Sequence, residues 1–139
     1  YLLLRENVIG PYQFCADEAY DYYGSYYADS MIDKYLNSNF IDKFPNEIKR
    51  FFIESEIEIT SKNSIGHSGT EVEKIKRLLY IPSYSEVTGK SNSINPREGN
   101  LLAKDFLKKY GIACNDNNEP SVWWLRTPNT WESNVVLRS

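Results

Sequence analysis

Side chains able to carry chemistry are few and scattered in this 139-residue sequence. The lone histidine, His67, sits between Gly66 and Gly69 in a stretch rich in Ser, Asn and Gly. A catalytic base needs a fixed partner, so this composition points to an exposed loop histidine. Cys15 and Cys114 are the only cysteines and lack the C-x-x-C spacing of a zinc or redox site. Two readings stay open for them: a pair of small buried hydrophobes, or a bridge closing a loop of about 100 residues, for which chain entropy gives about 4.7 kcal/mol. Asn115 to Pro120 collects hard oxygen donors of the kind calcium takes, but without the spacing and central glycine of an EF-hand loop. A hydrophilic turn ahead of a strand is the primary reading, with calcium ligation by Asn115, Asp116, Asn118 and Glu119 as the alternative. A phosphate-cradling glycine loop, H-E-x-x-H, G-x-S-x-G and paired Cys/His spacing are all missing. No catalytic residue, metal or cofactor is therefore assigned.

What remains is aromatic. The chain has 11 tyrosines, and Tyr20, Tyr22, Tyr23, Tyr26 and Tyr27 cluster around acidic residues and Gly24-Ser25. Such a stretch is either a loop whose rings lie on the core or a contact surface, because tyrosine offers rigid area with a polar tip. On the second reading Tyr22, Tyr23 and Tyr26 are candidate ligand contacts, with Trp131 and Arg126 further along the chain. Ser121 to Pro128 reads as a central core strand in which Trp123 and Trp124 face opposite ways and Arg126 shares a side with Trp124. Arg126 there either stacks on a ring or pairs with a carboxylate inside the core, or it faces a ligand as a hot-spot anchor.

Several elements must position these groups. Tyr1 to Ile9 reads as an interrupted strand closed by Gly10-Pro11. Asp29 or Ser30 can cap a helix burying Met31, Ile32, Tyr35 and Leu36, and Pro45 can open a second helix burying Ile48, Phe51 and Phe52. The pair is expected to cover a sheet. Glu56 to Thr60 alternates as a half-buried strand with Ile57 and Ile59 inward, and Leu78 to Ile81 is expected to form a short buried strand. Ser83 and Glu86 stand at capping-box spacing before a single helical turn ending at Gly89. Leu101, Leu102, Phe106, Leu107 and Tyr110 outline a further helix stopped by Gly111, and Ser133 to Leu137 a last strand. Trp123, Trp124, Phe106 and Leu79 are the expected core. The order of elements argues for one α+β domain spanning residues 1–139, with a mixed or antiparallel sheet and two to four helices packed on it.

Composition sets outer limits. At 41% hydrophobic and 25% charged residues the chain is of the globular class. A net charge of −3 and a pI near 5.2 give no global positive field, so no nucleic-acid partner is expected. No apolar run approaches the roughly 18 to 20 residues of a membrane span. The start at Tyr1, without methionine, suggests a piece of a longer polypeptide.

Four stretches carry a resemblance: Leu2-Leu3-Leu4 with Gly10 to Phe14, Tyr35 to Phe40, Leu78 to Val87, and Trp123-Trp124-Leu125-Arg126-Thr127-Pro128. Together they resemble an uncharacterised bacterial and phage domain family associated with the C-type-lectin-like fold, which is shared by retroelement-diversified receptors and formylglycine-generating enzymes. That resemblance implies a C-type-lectin-like domain; members of the family continue past this motif into a terminal hairpin that this sequence lacks, so either the sequence is a truncated fragment or those strands come from elsewhere. It implies a non-catalytic module recognising an unknown protein or glycan in a cell-surface or extracellular setting. The alternatives are a structural or assembly domain of a larger surface protein, and an enzyme of the formylglycine-generating type. The cysteine arrangement of the last is not matched by Cys15 and Cys114.

Overall fold

A computed structural model describes Phe14 and residues 26–65, 71–91, 96–102, 117, 123–128 and 134–137, the last four as backbone. The described elements are three short α-helices, several single turns of tighter or wider helix, and four strands. They form an α+β arrangement. The strands pair as two antiparallel two-stranded ribbons, β1 (Ser55–Thr60) with β2 (Val72–Arg77), and β3 (Trp123–Pro128) with β4 (Asn134–Leu137).

The first helix, α1 (Met31–Tyr35), starts where Ser30 Oγ accepts the Asp33 N–H at 3.1 Å, satisfying a donor that has no partner within the helix. Its buried face carries Ile32, and Leu36 follows one turn on. Beyond Tyr35 the helix widens into a π-turn, Leu36–Phe40, and then tightens into a 3-10 turn, Ile41–Lys43. The second helix, α2 (Asn46–Lys49), is a single turn preceded by Pro45 at its cap position.

That brevity corrects the expected apolar face. A helix of four residues cannot bury both Ile48 and the residues after it, and Ile48 and Phe51 are 47% and 69% exposed. Packing here is instead aromatic and edge-on: Phe40 meets Phe44 at 5.5 Å between centroids, and Phe44 meets Phe52 at 5.2 Å. Phe51 points elsewhere, with the Arg50 guanidinium 4.8 Å from its ring centre.

In the first ribbon Ile57 stands opposite Ile75, and Ile57 and Ile59 turn inward as their alternation predicts. They join Phe14, Tyr27, Ile32 and Leu36 in one core cluster, against which Leu79, Tyr80, Ile81 and Trp124 pack half-buried. The partner strand β2 is the charged stretch from Val72, not Leu78 to Ile81. Residues 78–81 form no strand, because side chains take up their backbone groups. Asn37 accepts the Leu79 N–H at 3.1 Å and donates to the Leu79 carbonyl at 2.8 Å, copying what a neighbouring strand would do. Tyr27 Oη accepts the Ile81 N–H at 3.4 Å.

The second ribbon pairs Trp123 with Leu137 and Trp124 with Val136, then loses register before Pro128 meets Asn134. Trp123 and Trp124 are half-buried, and Trp124 lies 5.6 Å from Phe14 between ring centres. From Leu125 onward every residue of β3 is buried, so this strand is covered on both faces.

Leu101 and Leu102, expected to open a helix, are not helical, while the rest of that helix with Phe106, and the opening strand, lie outside the described residues.

Candidate functional site

The most charged constellation among the described residues is built inside the fold around Arg126, which is 0% exposed. β3 delivers it to a junction, because its own N–H donates to the Pro82 carbonyl at 3.0 Å. All five guanidinium donors are engaged. Nε reaches the Glu58 carbonyl at 3.0 Å, and Nη1 reaches the Ile81 carbonyl at 2.9 Å and Glu86 Oε2 at 2.8 Å. Nη2 reaches Glu86 Oε1 at 2.7 Å and the Glu98 carbonyl at 3.4 Å. The Tyr80 ring centre lies 5.5 Å from the guanidinium carbon. One side chain thus ties β1, the 79–82 segment, α3 (Tyr84–Thr88) and the 96–102 segment to β3.

Glu86 is held for this role by its own helix. Ser83 and Glu86 make a reciprocal capping box: Ser83 Oγ accepts the Glu86 N–H at 3.1 Å, and Glu86 Oε2 accepts the Ser83 N–H at 3.1 Å. The same carboxylate then takes the Arg126 fork, a bidentate pair stronger than neutral hydrogen bonds. The helix ends at Gly89, whose φ of 72° places it in the left-handed region that glycine enters without strain.

Glu98 is the second carboxyl of the hub and is also 0% exposed. Its backbone is pinned to α3: the N–H donates to Ser85 Oγ at 3.2 Å, and the carbonyl accepts from Ser83 Oγ at 2.5 Å. Its Oε1 accepts the Thr60 hydroxyl at 2.6 Å. Its Oε2 has no hydrogen-bond partner among the described residues and lies 3.7 Å from Arg126 Nε. Burial pushes this acid up to about 7; Thr60 and Arg126 pull it down, and Glu86 adds to the rise. Gly99 follows with φ 86°, and a Cβ there would stand 2.7 Å from Glu86 Oε1. The glycine is what lets the segment approach the ion pair.

A second polar knot lies on α1. Arg77 Nε donates to both oxygens of Asp33, at 2.9 Å each, and Asn37 Nδ2 contacts Asp33 at 3.2 Å. Burial raises the Asp33 carboxyl above its ordinary range, and Arg77 opposes that rise. This knot fastens β2 and the 78–81 segment to the helix.

Of the candidate ligand contacts, Tyr26 is half-buried, its hydroxyl donating to Glu73 while Lys62 Nζ lies 5.5 Å from its ring centre. Burial first, then the Glu73 hydrogen bond, push its phenol above the ordinary range. Arg126 faces the hub and not the surface. Tyr22, Tyr23, Trp131, the Asn115, Asp116, Asn118 and Glu119 set, His67 and both cysteines lie outside the described residues. Among the described residues no group of three or more His, Cys, Asp or Glu is placed to hold a metal ion, and no helix is long and apolar enough to cross a membrane. Glu98 and Asn37 were not singled out by sequence. Glu98 sits in a polar loop with no local pattern, and only the capping-box spacing of Glu86 signalled that a carboxylate here has a defined orientation.

Helical turns packed with small antiparallel ribbons around a buried ionic hub define an α+β domain. Residues 1–138 match the model of a family described as "Domain of unknown function (DUF6273)", and the chain belongs to that family. Searches of curated proteins and of solved structures gave no significant match.

Proposed function

We propose that this chain is a non-catalytic recognition module with a C-type-lectin-like fold, binding a protein or glycan at a bacterial or phage surface. One observation carries the reading: the Arg126 hub is turned inward, while large apolar side chains elsewhere stay in solvent. Phe51 and Ile53 are 69% and 81% exposed, far more than folding alone asks of such residues. Apolar groups on a rigid support are what a contact surface needs, because little ordering is left to oppose binding. The family resemblance in the Trp123 to Pro128 strand supports the lectin-like part of the proposal.

The test is to screen the chain against protein and glycan arrays beside a Phe51→Ser, Ile53→Ser double variant. These side chains make little of the core, so the variant should keep its stability to within about 0.5 kcal/mol. The expected result is a ligand bound by the native chain and lost in the variant. No hit on any array would favour a structural or assembly role. A ligand held equally by both chains would move the contact face away from Phe51 and toward residues such as Tyr22, Tyr23 and Trp131.

A further inference from the structure

The hub contains one cation and two buried carboxyls. Arg126 makes its fork with Glu86, directs Nε to the Glu58 carbonyl, and gives its remaining donors to the carbonyls of Ile81 and Glu98. Nothing of the guanidinium is left for Glu98 Oε2, which stands 3.7 Å from Nε and has no hydrogen bond among the described residues. The charged groups acting on Glu98 among the described residues are Arg126 from β3 and Glu86 from α3, while β1 and β3 contribute only the uncharged hydroxyls of Thr60 and Thr127. A single positive charge balances a single carboxylate in a dry site, so a second carboxyl beside it is stable as the neutral acid.

We infer that Glu98 is a proton-operated latch: as the neutral acid it lets segment 96–102 seat on α3 and β3, and its ionisation loosens that seat. The segment depends on close approach to the other carboxylate. The Glu98 N–H and carbonyl bond Ser85 and Ser83, the Leu102 N–H donates to the Glu86 carbonyl at 2.9 Å, and Gly99 packs on Glu86 Oε1. Ionised, the Glu98 side chain would set a second negative charge on the Nε side of a guanidinium already paired with Glu86, and the two carboxylates would repel across it while the segment's backbone is held against α3. Burial supports the same direction, carrying the Glu98 acid from its ordinary 4.5 to about 7. Between those values the folded chain binds more protons than the unfolded one, so this contribution to stability is complete below 4.5 and is lost as pH rises through 7. The latch concerns the frame and stands whether or not the recognition reading holds.

Urea unfolding of the 139-residue chain and of Glu98→Gln, from about pH 5 to about pH 8, tests it. Glutamine has the shape of the neutral acid and cannot ionise. The native chain should lose on the order of a hundredfold in its folding constant across that range relative to the variant. Equal pH dependence in the two chains would overturn the latch, as would a variant less stable than the native chain at the upper end. Should the variant not fold, infrared spectra of the native chain with isotopically labelled glutamate decide the matter. A protonated carboxyl band present in acid and lost on passing neutrality upholds the latch. Absence of that band on the acid side refutes it.

Discussion

Replacing Arg126 with methionine removes the hub's cation but keeps an unbranched apolar stem of similar reach. In the native chain the guanidinium satisfies both oxygens of Glu86 and the carbonyls of Glu58, Ile81 and Glu98. After substitution Glu86 Oε2 keeps the Ser83 N–H, Oε1 loses its 2.7 Å donor, and the carbonyls of Glu58, Ile81 and Glu98, the first two half-buried and the last buried, lose a donor each. Removing one member of a buried ion pair costs about 3 to 5 kcal/mol, chiefly because the survivor is left charged and dry. Against a total stability of about 5 to 15 kcal/mol, that takes a large share of the fold. With a urea slope of about 2 kcal/mol per molar, the midpoint should fall by about 2 M at unchanged slope. Arg126→Lys should recover little of the loss, since an ammonium cannot make the fork. The double change Arg126→Met, Glu86→Gln removes the stranded charge and should be less damaging than Arg126→Met alone, a coupling that a mutant cycle measures. A loss below about 1 kcal/mol for Arg126→Met, within the range of exposed pairs, would show that the hub is solvated and the argument mistaken.

Two further changes probe how loops are held to this frame. Asn37→Ala should destabilise the chain by about 2 to 3 kcal/mol, because the Leu79 N–H and carbonyl lose their partners together; faster hydrogen exchange at the Leu79 amide is the local readout, and unchanged protection there would refute the role given to Asn37. Gly99→Ala combines a φ of 86° with a Cβ placed 2.7 Å from Glu86 Oε1, so a loss of at least about 1 to 3 kcal/mol in thermal or urea unfolding is expected, and a neutral substitution would show that segment 96–102 does not pack as described.

Local signals in the sequence translated well wherever the deciding interaction was itself local. Ser83, Glu86 and Gly89 enclose one helical turn, and the cap, the returning carboxylate and the left-handed stop all lie within seven residues of chain. Ile57 and Ile59 point inward because strand period and burial agree. Leu78 to Ile81 has the same apolar content, yet no strand forms, since Asn37, Tyr27 and Arg126 supply its hydrogen bonds from 42, 54 and 45 residues away. Phe51 misled for a related reason. Helical period places it on an apolar face only if the helix continues, and α2 ends at Lys49.

The same distinction explains why the Trp123 to Pro128 strand can be recognisable without displaying a site. Leu125, Arg126 and Thr127 are each 0% exposed, and the two polar members are consumed by backbone and carboxylate groups of four other segments. An arginine with five committed donors tolerates no near equivalent, so its identity is dictated by architecture as strictly as a catalytic residue is dictated by chemistry. Glu86 is bound by the same constraint, because it must cap its helix and face the guanidinium at once. Glu98 is not: its second oxygen makes no hydrogen bond among the described residues, and a neutral amide of the same shape would fill the place. A buried carboxyl that packing does not require is the one whose ionisation can be put to use, and that contrast between Glu86 and Glu98 singles out the second as the responsive group in an otherwise rigid hub.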